Sequence, residues 1–70
     1  MDDINYNKAK FFFDLGWPVH ITMQNSFIHN GFIEDLRPEF LVLSDERKGV
    51  IPLFFVEIAI IEKKEDKEKR

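Results

Sequence analysis

The hydrophobic pattern changes its period at Pro18, and this change most limits the folds open to the chain. Upstream of it, apolar residues recur every three or four positions, which predicts an amphipathic helix over 2–15, capped by Asp2 or Asp3. Gly16 suits the C′ position that ends such a helix, and Pro18 prevents its continuation. The residues that fall on one stripe of this helix are Ile4, Lys8, Phe11, Phe12 and Leu15. The run of three phenylalanines at 11–13 also suits a strand, so that alternative stays open.

Downstream of Pro18, apolar and polar residues alternate, which predicts five short antiparallel strands. The strands fall at 19–23, 27–36, 40–43, 50–55 and 59–62, separated by polar turns and a tight turn at 56–58. Gly31, inside the second strand, predicts a bulge or a sharp bend. Strands this short and this bent favour closure into a small barrel. The predicted fold class is therefore mainly β, an N-terminal helix followed by a five-stranded, strongly bent, antiparallel SH3-like barrel.

Seventy residues allow a single domain, here 1–70 with the barrel over 18–62. The chain has no cysteine, so neither disulfides nor a thiolate zinc site can support the fold, which must rest on packing or on self-association. The acidic start Met1-Asp2-Asp3 does not resemble a signal peptide. The longest apolar stretch, 50–61, is too short to span a bilayer. We therefore expect a soluble, cytoplasmic protein with no membrane partner.

The net charge of −3 is distributed unevenly along the chain. Residues 62–70 hold five basic and four acidic side chains, so the body at 1–61 carries −4. An acidic body argues against non-specific binding to a phosphate backbone but allows a local basic patch. We expect 63–70 to be a charged, disordered tail that keeps the protein in solution.

Two segments have the order of strands, turns and glycine that is typical of a known protein family. The first is the alternating strand and turn at 19–26, followed by Gly31-Phe32-Ile33 and by an apolar strand that leads into Ser44-Asp45. The second is the tight turn Phe54-Phe55-Val56-Glu57-Ile58, whose isoleucine leads into the last strand. Together, over 18–62, these segments resemble the Sm/LSm-like proteins, including their Hfq branch. The resemblance implies the Sm-like fold and a ring in which strand four of one subunit pairs with strand five of the next.

The RNA pocket of that family is not retained. The family uses an aspartate and an asparagine between strands two and three, and an arginine–glycine pair in the second motif. Here the first loop is 36–40, one residue shorter and without asparagine, and the pair falls on Phe54 and Phe55. The resemblance therefore implies the fold more strongly than it implies uridine binding.

The segment 50–61 is apolar on both faces, whereas a monomeric barrel needs only its inner face filled. We therefore predict a homo-oligomer of five to seven subunits, although Pro52 removes one backbone donor from the contact. The alternative is that Phe54 and Phe55 pack beneath the N-terminal helix. The predicted interface residues are Val50, Ile51, Leu53, Phe55 and Ile60.

No pattern in the chain indicates catalysis or metal binding. His20 and His29 lie on different strands without ligand spacing, and adjacent Glu34 and Asp35 point to opposite faces. The serines lie in turns without a nucleophile motif, and the three glycines form no phosphate loop. We expect no enzyme activity, no metal and no cofactor.

Two functions remain. In the first, the ring binds RNA or single-stranded DNA, with aromatic stacking and phosphate contacts from Arg37, Phe40, Arg47 and Lys48. Arg37 has an equally good alternative role in a surface ion pair with Glu39 or Asp35. In the second, the protein is a structural or protein-interaction SH3-like barrel without a nucleic-acid ligand.

Overall fold

The structure, a computed structural model, describes residues 4–64 and consists of one helix followed by five antiparallel strands. The elements are α1 (Ile4–Leu15), β1 (Val19–Met23), β2 (Ile28–Leu36), β3 (Phe40–Asp45), β4 (Gly49–Phe54) and β5 (Ile58–Lys63), with a 3-10 turn at Phe55–Glu57. The predicted helix and strands are confirmed. β3 extends two residues further than predicted, and Lys63 belongs to β5. The predicted caps Asp2 and Asp3, and the tail from 65 onward, lie outside the described residues.

The strands form one sheet in the order β4-β3-β2-β1-β5, so that β4 and β5 are its edges. The register shifts between Thr22 and Met23 where β1 pairs with β5, and between Ile33 and Asp35 where β2 pairs with β3. Such irregularities bend and twist a strand, which curves the sheet around its apolar face. None of the helical segments within 4–64 has the length and hydropathy that crossing a membrane requires.

The core follows the alternation that the sequence shows. Every second residue of β1 and β3 is buried, and the intervening residues lie on the opposite face of the sheet. Each fully buried aliphatic side chain contributes roughly 1.5–3 kcal/mol relative to exposure. The buried apolar side chains are Ala9, Val19, Ile21, Met23, Ile33, Leu41, Leu43, Leu53, Ile58 and Ile61.

Helix α1 turns a different face to the core than its apolar stripe suggests. Ile4, Phe11 and Leu15 are 63%, 56% and 47% exposed, whereas Ala9 is fully buried and Phe12 packs against the core. The small alanine lets the helix approach the sheet closely. Asn5 ties the same face to β5, because its Nδ2 donates to the Ile58 carbonyl at 3.2 Å.

The end of α1 is a Schellman motif, as the glycine predicted. Gly16 has φ +71°, and its N–H donates to the Phe13 carbonyl at 3.1 Å. The Trp17 N–H donates to the Phe12 carbonyl, also at 3.1 Å. These bonds fix the direction in which the chain leaves the helix, and hence the helix face that meets β1.

The bulge predicted at Gly31 is wrong, and the structure gives another reason for a glycine at this position. The bulge lies further along β2, between Ile33 and Asp35, and Gly31 itself pairs with Asp45 in regular register. A Cβ at Gly31 would overlap the Ser44 carbonyl oxygen, which is backbone and has no room to move aside. Glycine is therefore required by the close approach of β2 and β3.

Replacing Gly31 with alanine is expected to cost about 3 kcal/mol of unfolding free energy, because the added methyl group forces β2 and β3 apart. Gly49→Ala is the matched control. It meets open space and is opposed only by φ +81°, a penalty of about 1–2 kcal/mol. Urea unfolding followed by circular dichroism measures both, and a smaller loss for Gly31→Ala than for Gly49→Ala would contradict this account.

Candidate nucleic-acid interface

The four residues predicted to bind nucleic acid lie in two separate groups. Arg37 lies in the loop between β2 and β3, next to Phe40 at the start of β3, and Arg47 and Lys48 lie in the turn between β3 and β4. The six residues of β3 separate the two groups by about 20 Å at the rise of an extended strand. A single short oligonucleotide segment therefore meets one group or the other.

In the loop group, the charge of Arg37 is already engaged. Its Nε donates to Asp35 Oδ2 at 3.0 Å, and both side chains are exposed. Of the two acidic partners open from the sequence, the structure contains the pair with Asp35. The ring of Phe40 packs against Phe54 of β4, with centroids 5.2 Å apart. An ionic partner and an aromatic neighbour leave this group with less capacity for a ligand.

The turn group borders a concave site that we call the turn cavity. Its volume is about 360 Å³, and its lining residues are Ile28, Asn30, Asp45, Glu46, Arg47 and Lys48. The Lys48 ammonium lies 5.7 Å from the centroid of Phe27, whose ring is 61% exposed. An exposed aromatic face beside a cation is the combination that stacks a base and holds a phosphate.

The turn is held in shape by the buried carboxylate of Asp45, which the sequence places in the family pattern but not among the predicted site residues. Asp45 Oδ1 accepts the backbone N–H groups of Arg47 at 2.7 Å and Lys48 at 3.0 Å. Its Oδ2 lies 3.1 Å from Nδ1 of His29, which is also buried. The turn is therefore preformed, and both basic side chains leave it toward solvent.

These bonds keep Asp45 ionised despite its burial. The Arg47 N–H is the main cause that lowers the pKa of Asp45 below its ordinary value of 3.8, and the Lys48 N–H and His29 act in the same direction. Burial opposes them by raising the pKa. Asp45 therefore remains an anion beneath the two cations, with its oxygens bonded to the turn's own backbone and to His29. The other carboxylate in the lining, Glu46, accepts a hydrogen bond from Lys64 Nζ at 2.8 Å.

The wall of the cavity is fixed by a second histidine contact. His20 Nδ1 lies 2.7 Å from Asn30 Oδ1, which orients the amide of Asn30 at the cavity. Neither histidine acts with other side chains to form a metal site, since residues 4–64 contain no cluster of three or more metal-ligating side chains. His29 lies on the same face of β2 as Gly31 and Ile33, which are also buried, so the alternation of residues in β2 could have predicted its burial.

The residues predicted for the oligomer interface differ in their exposure. Val50 and Ile60 are exposed, Ile51 and Phe55 are half-buried against the core, and Leu53 lies within the core. The Phe55 ring also meets the edge of Tyr6 on α1, with centroids 5.7 Å apart.

The edge of β4 exposes its backbone at alternate residues. The Phe40 carbonyl accepts from the Arg37 N–H, and the Glu46 N–H donates to the Asn30 carbonyl, so the backbone groups of even-numbered residues in β3 point toward β2. The backbone groups of the odd-numbered residues therefore bond to β4. In β4 the even-numbered residues Val50, Pro52 and Phe54 consequently direct their backbone groups away from the sheet. Pro52 is thus tolerated because it gives up no bond within the chain.

The edge of β5 is arranged in the same way. The Lys64 N–H donates to the Pro18 carbonyl at 3.0 Å, and Glu62 pairs with His20. Even-numbered residues at this end of β5 therefore bond to β1, while Ile61 and Lys63 direct their backbone groups outward. The sheet ends on both sides in a strand that has hydrogen-bonding capacity.

The sequence matches no protein-family model and no curated protein. The structure is similar to the crystal structure of Hfq, a pleiotropic translational regulator, with a TM-score of 0.69. The match covers 79% of this chain and 90% of that chain at 18% sequence identity. The chain therefore has the Hfq, or Sm-like, fold, as the resemblance in its sequence implied.

Asp45→Asn is expected to lower the unfolding free energy by about 1–3 kcal/mol at neutral pH, because the turn loses its charged acceptor. A carboxylate whose folded pKa is depressed contributes stability above its unfolded pKa and loses it as pH falls through the folded value. The difference between variant and wild type should therefore shrink as the solution is acidified below the ordinary value of 3.8.

Asp14→Asn provides the matched control for urea unfolding over this pH range. It removes the same charge from an exposed helical pair with Lys10, and is expected to cost about 0.3–0.5 kcal/mol. Equal losses for the two variants, or a loss for Asp45→Asn that does not vary with pH, would show that Asp45 does not hold the turn as an anion.

Proposed function

We propose that this chain forms a homo-oligomeric ring of five to seven subunits that binds single-stranded RNA or DNA in the cytoplasm, as a binding protein rather than an enzyme. The observation that carries the proposal is Lys48 above the exposed ring of Phe27 beside the turn cavity, on a fold shared with Hfq. Hfq is a translational regulator, which makes nucleic acid the first ligand class to test.

The two sheet edges support the ring. β4 and β5 each present outward backbone groups, and an edge left unpaired invites association with another chain. A β4 edge joined to the β5 edge of the next copy is a head-to-tail contact, which closes when the rotation between copies divides a full turn. Exposed Val50 and Ile60, one on each edge strand, add apolar area to this contact. Ile51, Phe55 and Leu53 would then support the edge strands from within each subunit.

The turn cavity supports nucleic-acid binding. Arg47 and Lys48 provide two cations at its rim, and Phe27 provides a ring for base stacking, worth about 1–3 kcal/mol per base. Cyclic symmetry repeats the cavity in every subunit at one height along the ring axis. A single strand that contacts several cavities gains from their high effective concentration, so a modest site is sufficient. The group of Arg37 and Phe40 is a second, weaker contact in this proposal.

The second candidate is a protein-interaction module, favoured by the apolar side chains on the outer face of the sheet. Phe32 and Val50 are 50% and 67% exposed and flank Ser44 in neighbouring strands. Patches of this kind mark protein contacts when they are contiguous. Oligonucleotide binding distinguishes the two functions.

Phe54→Pro is expected to convert the ring to a monomer without unfolding the chain. The Phe54 N–H faces the free edge of β4, so proline there removes a donor to the next subunit and no ladder bond within the sheet. The matched variant Phe54→Ala also loses the phenyl side chain but keeps the backbone N–H, so the oligomer should stay assembled. Native mass spectrometry gives both masses, with circular dichroism as the check on folding. A wild-type monomer would contradict the ring.

Lys48→Ala is expected to weaken binding of a fluorescent oligonucleotide roughly tenfold, about 1.4 kcal/mol, because a cation beside the stacked base is lost. Anisotropy titrations against oligo-U, oligo-A and single-stranded DNA at two salt concentrations measure the affinity and its salt dependence. Lys10→Ala removes the same charge from a lysine already bridged to Asp14, and should change little.

The Arg37→Ala variant separates the two groups of residues. A smaller loss than for Lys48→Ala is expected, because Arg37 is paired with Asp35. A larger loss would move the main site to the loop between β2 and β3. If no oligonucleotide binds at tens of micromolar, the interaction module is the better assignment.

A further inference from the structure

Helix α1 has a second apolar face, which points away from the core. We call it the α1 stripe, and it consists of Ile4, Phe11 and Leu15 with half-buried Lys8 between them. At 100° per residue these positions lie within a sector of about 60°, whose centre is about 130° around the helix from Ala9, the residue that meets the core. The fold uses Ala9 and Phe12 to attach the helix, and the Phe11 ring contacts the Phe12 ring edge-on, with centroids 5.6 Å apart, while 56% of Phe11 stays exposed.

The stripe has the spacing of a helix–helix seam. Its positions are separated by four, three and four residues, which is the repeat that keeps a row of side chains facing a partner helix. The patch continues onto Trp17, whose ring meets Phe11 edge-on with centroids 5.9 Å apart. The Lys63 ammonium, 4.1 Å from the Trp17 centroid, places a cation at the rim. An apolar centre with a charged rim is the ordinary composition of a protein interface.

The charges on α1 allow the stripe to pack against itself. In an antiparallel pair related by a two-fold axis, Ile4 lies opposite Leu15 and Lys8 lies opposite Phe11. Such a pair aligns the two helix dipoles favourably and sets an ammonium over an aromatic ring. The neighbouring polar face adds no repulsion, because Lys10 and Asp14 neutralise each other at 3.0 Å.

The area of the stripe indicates what kind of second copy it fits. Three large side chains, each about half exposed, offer roughly 300 Å² per chain. A stable complex buries about 800 Å² per partner, so two isolated subunits would not stay joined. In a ring of five to seven subunits the stripe recurs at one height, and two rings together bury well over that threshold through several equivalent contacts.

We propose that the α1 stripe docks onto the same stripe of a second copy, so that two rings pair face to face with dihedral symmetry. The proposal rests on the ring put forward above. Because the pairing is isologous, every contact of Lys8 with Phe11 occurs twice at each helix pair. A change at one of the two positions is therefore compensated by a change at the other.

The test is the mass of the full chain at micromolar concentration, by light scattering and native mass spectrometry. Wild type should have twice the mass of a single ring. Phe11→Lys should halve that mass, because it sets two ammonium groups opposite each other. Adding Lys8→Glu should restore the double ring, since the opposed charges now attract. Far-ultraviolet circular dichroism should show both variants folded, because neither position lies in the core, although Phe11→Lys removes the contacts of the Phe11 ring with Phe12 and Trp17.

Each outcome bears on one of the two proposals. A wild-type mass of one ring overturns ring pairing and leaves the ring intact. A wild-type monomer overturns the ring and the pairing with it. A double ring that Phe11→Lys does not split, or that the added Lys8→Glu does not restore, means that the rings meet through another surface and overturns the role of the stripe.

Discussion

The close approach of β2 and β3 at Gly31 is the constraint on which the rest of the molecule depends. Without a Cβ at this position, the Ser44 carbonyl lies against the β2 backbone, and Asp45 takes its place directly across from Gly31. From there the Asp45 carboxylate reaches His29, two residues back on the same inner face, and the two N–H groups of the turn. The short interstrand distance, the buried contact between His29 and Asp45 and the preformed turn thus all follow from the absence of a side chain at Gly31.

The two ends of the sheet follow from the same ladder. Alternate residues of β3 bond to β2, and the remaining ones bond to β4. This alternation determines whether the backbone groups of each β4 residue, including Pro52, face β3 or the free edge. A proline in a position facing β3 would have removed a bond from the fold. Facing the edge, it removes only a donor to another chain. The sequence that folds one subunit therefore also determines which backbone groups remain for a neighbour.

Much of the fold could be predicted from the period of the sequence, whereas the orientation of the helix and the side-chain contacts of the site could not. Ile4, Phe11 and Leu15 do form an apolar stripe, but hydrophobicity alone does not distinguish a face for the core from a face for a partner. The decisive contact comes from Ala9, whose small size rather than its hydropathy brings the helix onto the sheet. Likewise, alternation already places Arg37 and Arg47 at opposite ends of β3, but it does not show that Arg37 pairs with Asp35.

The three contacts proposed for this chain are the pairing of edge strands, the docking of the α1 stripe and the binding of nucleic acid, and they respond differently to charge and salt. Pairing of edge strands relies on backbone hydrogen bonds, which are directional and set the geometry of a ring. Docking of the α1 stripe relies on apolar area, which is not directional and gains strength only after a ring has repeated it. Both bring together chains of net charge −3, so the repulsion they must overcome grows with each copy and is relieved by salt. Binding of a phosphate backbone at Arg47 and Lys48 depends on salt in the opposite sense. Local cations on an acidic body thus allow the assembly and its ligand to respond separately to ionic strength.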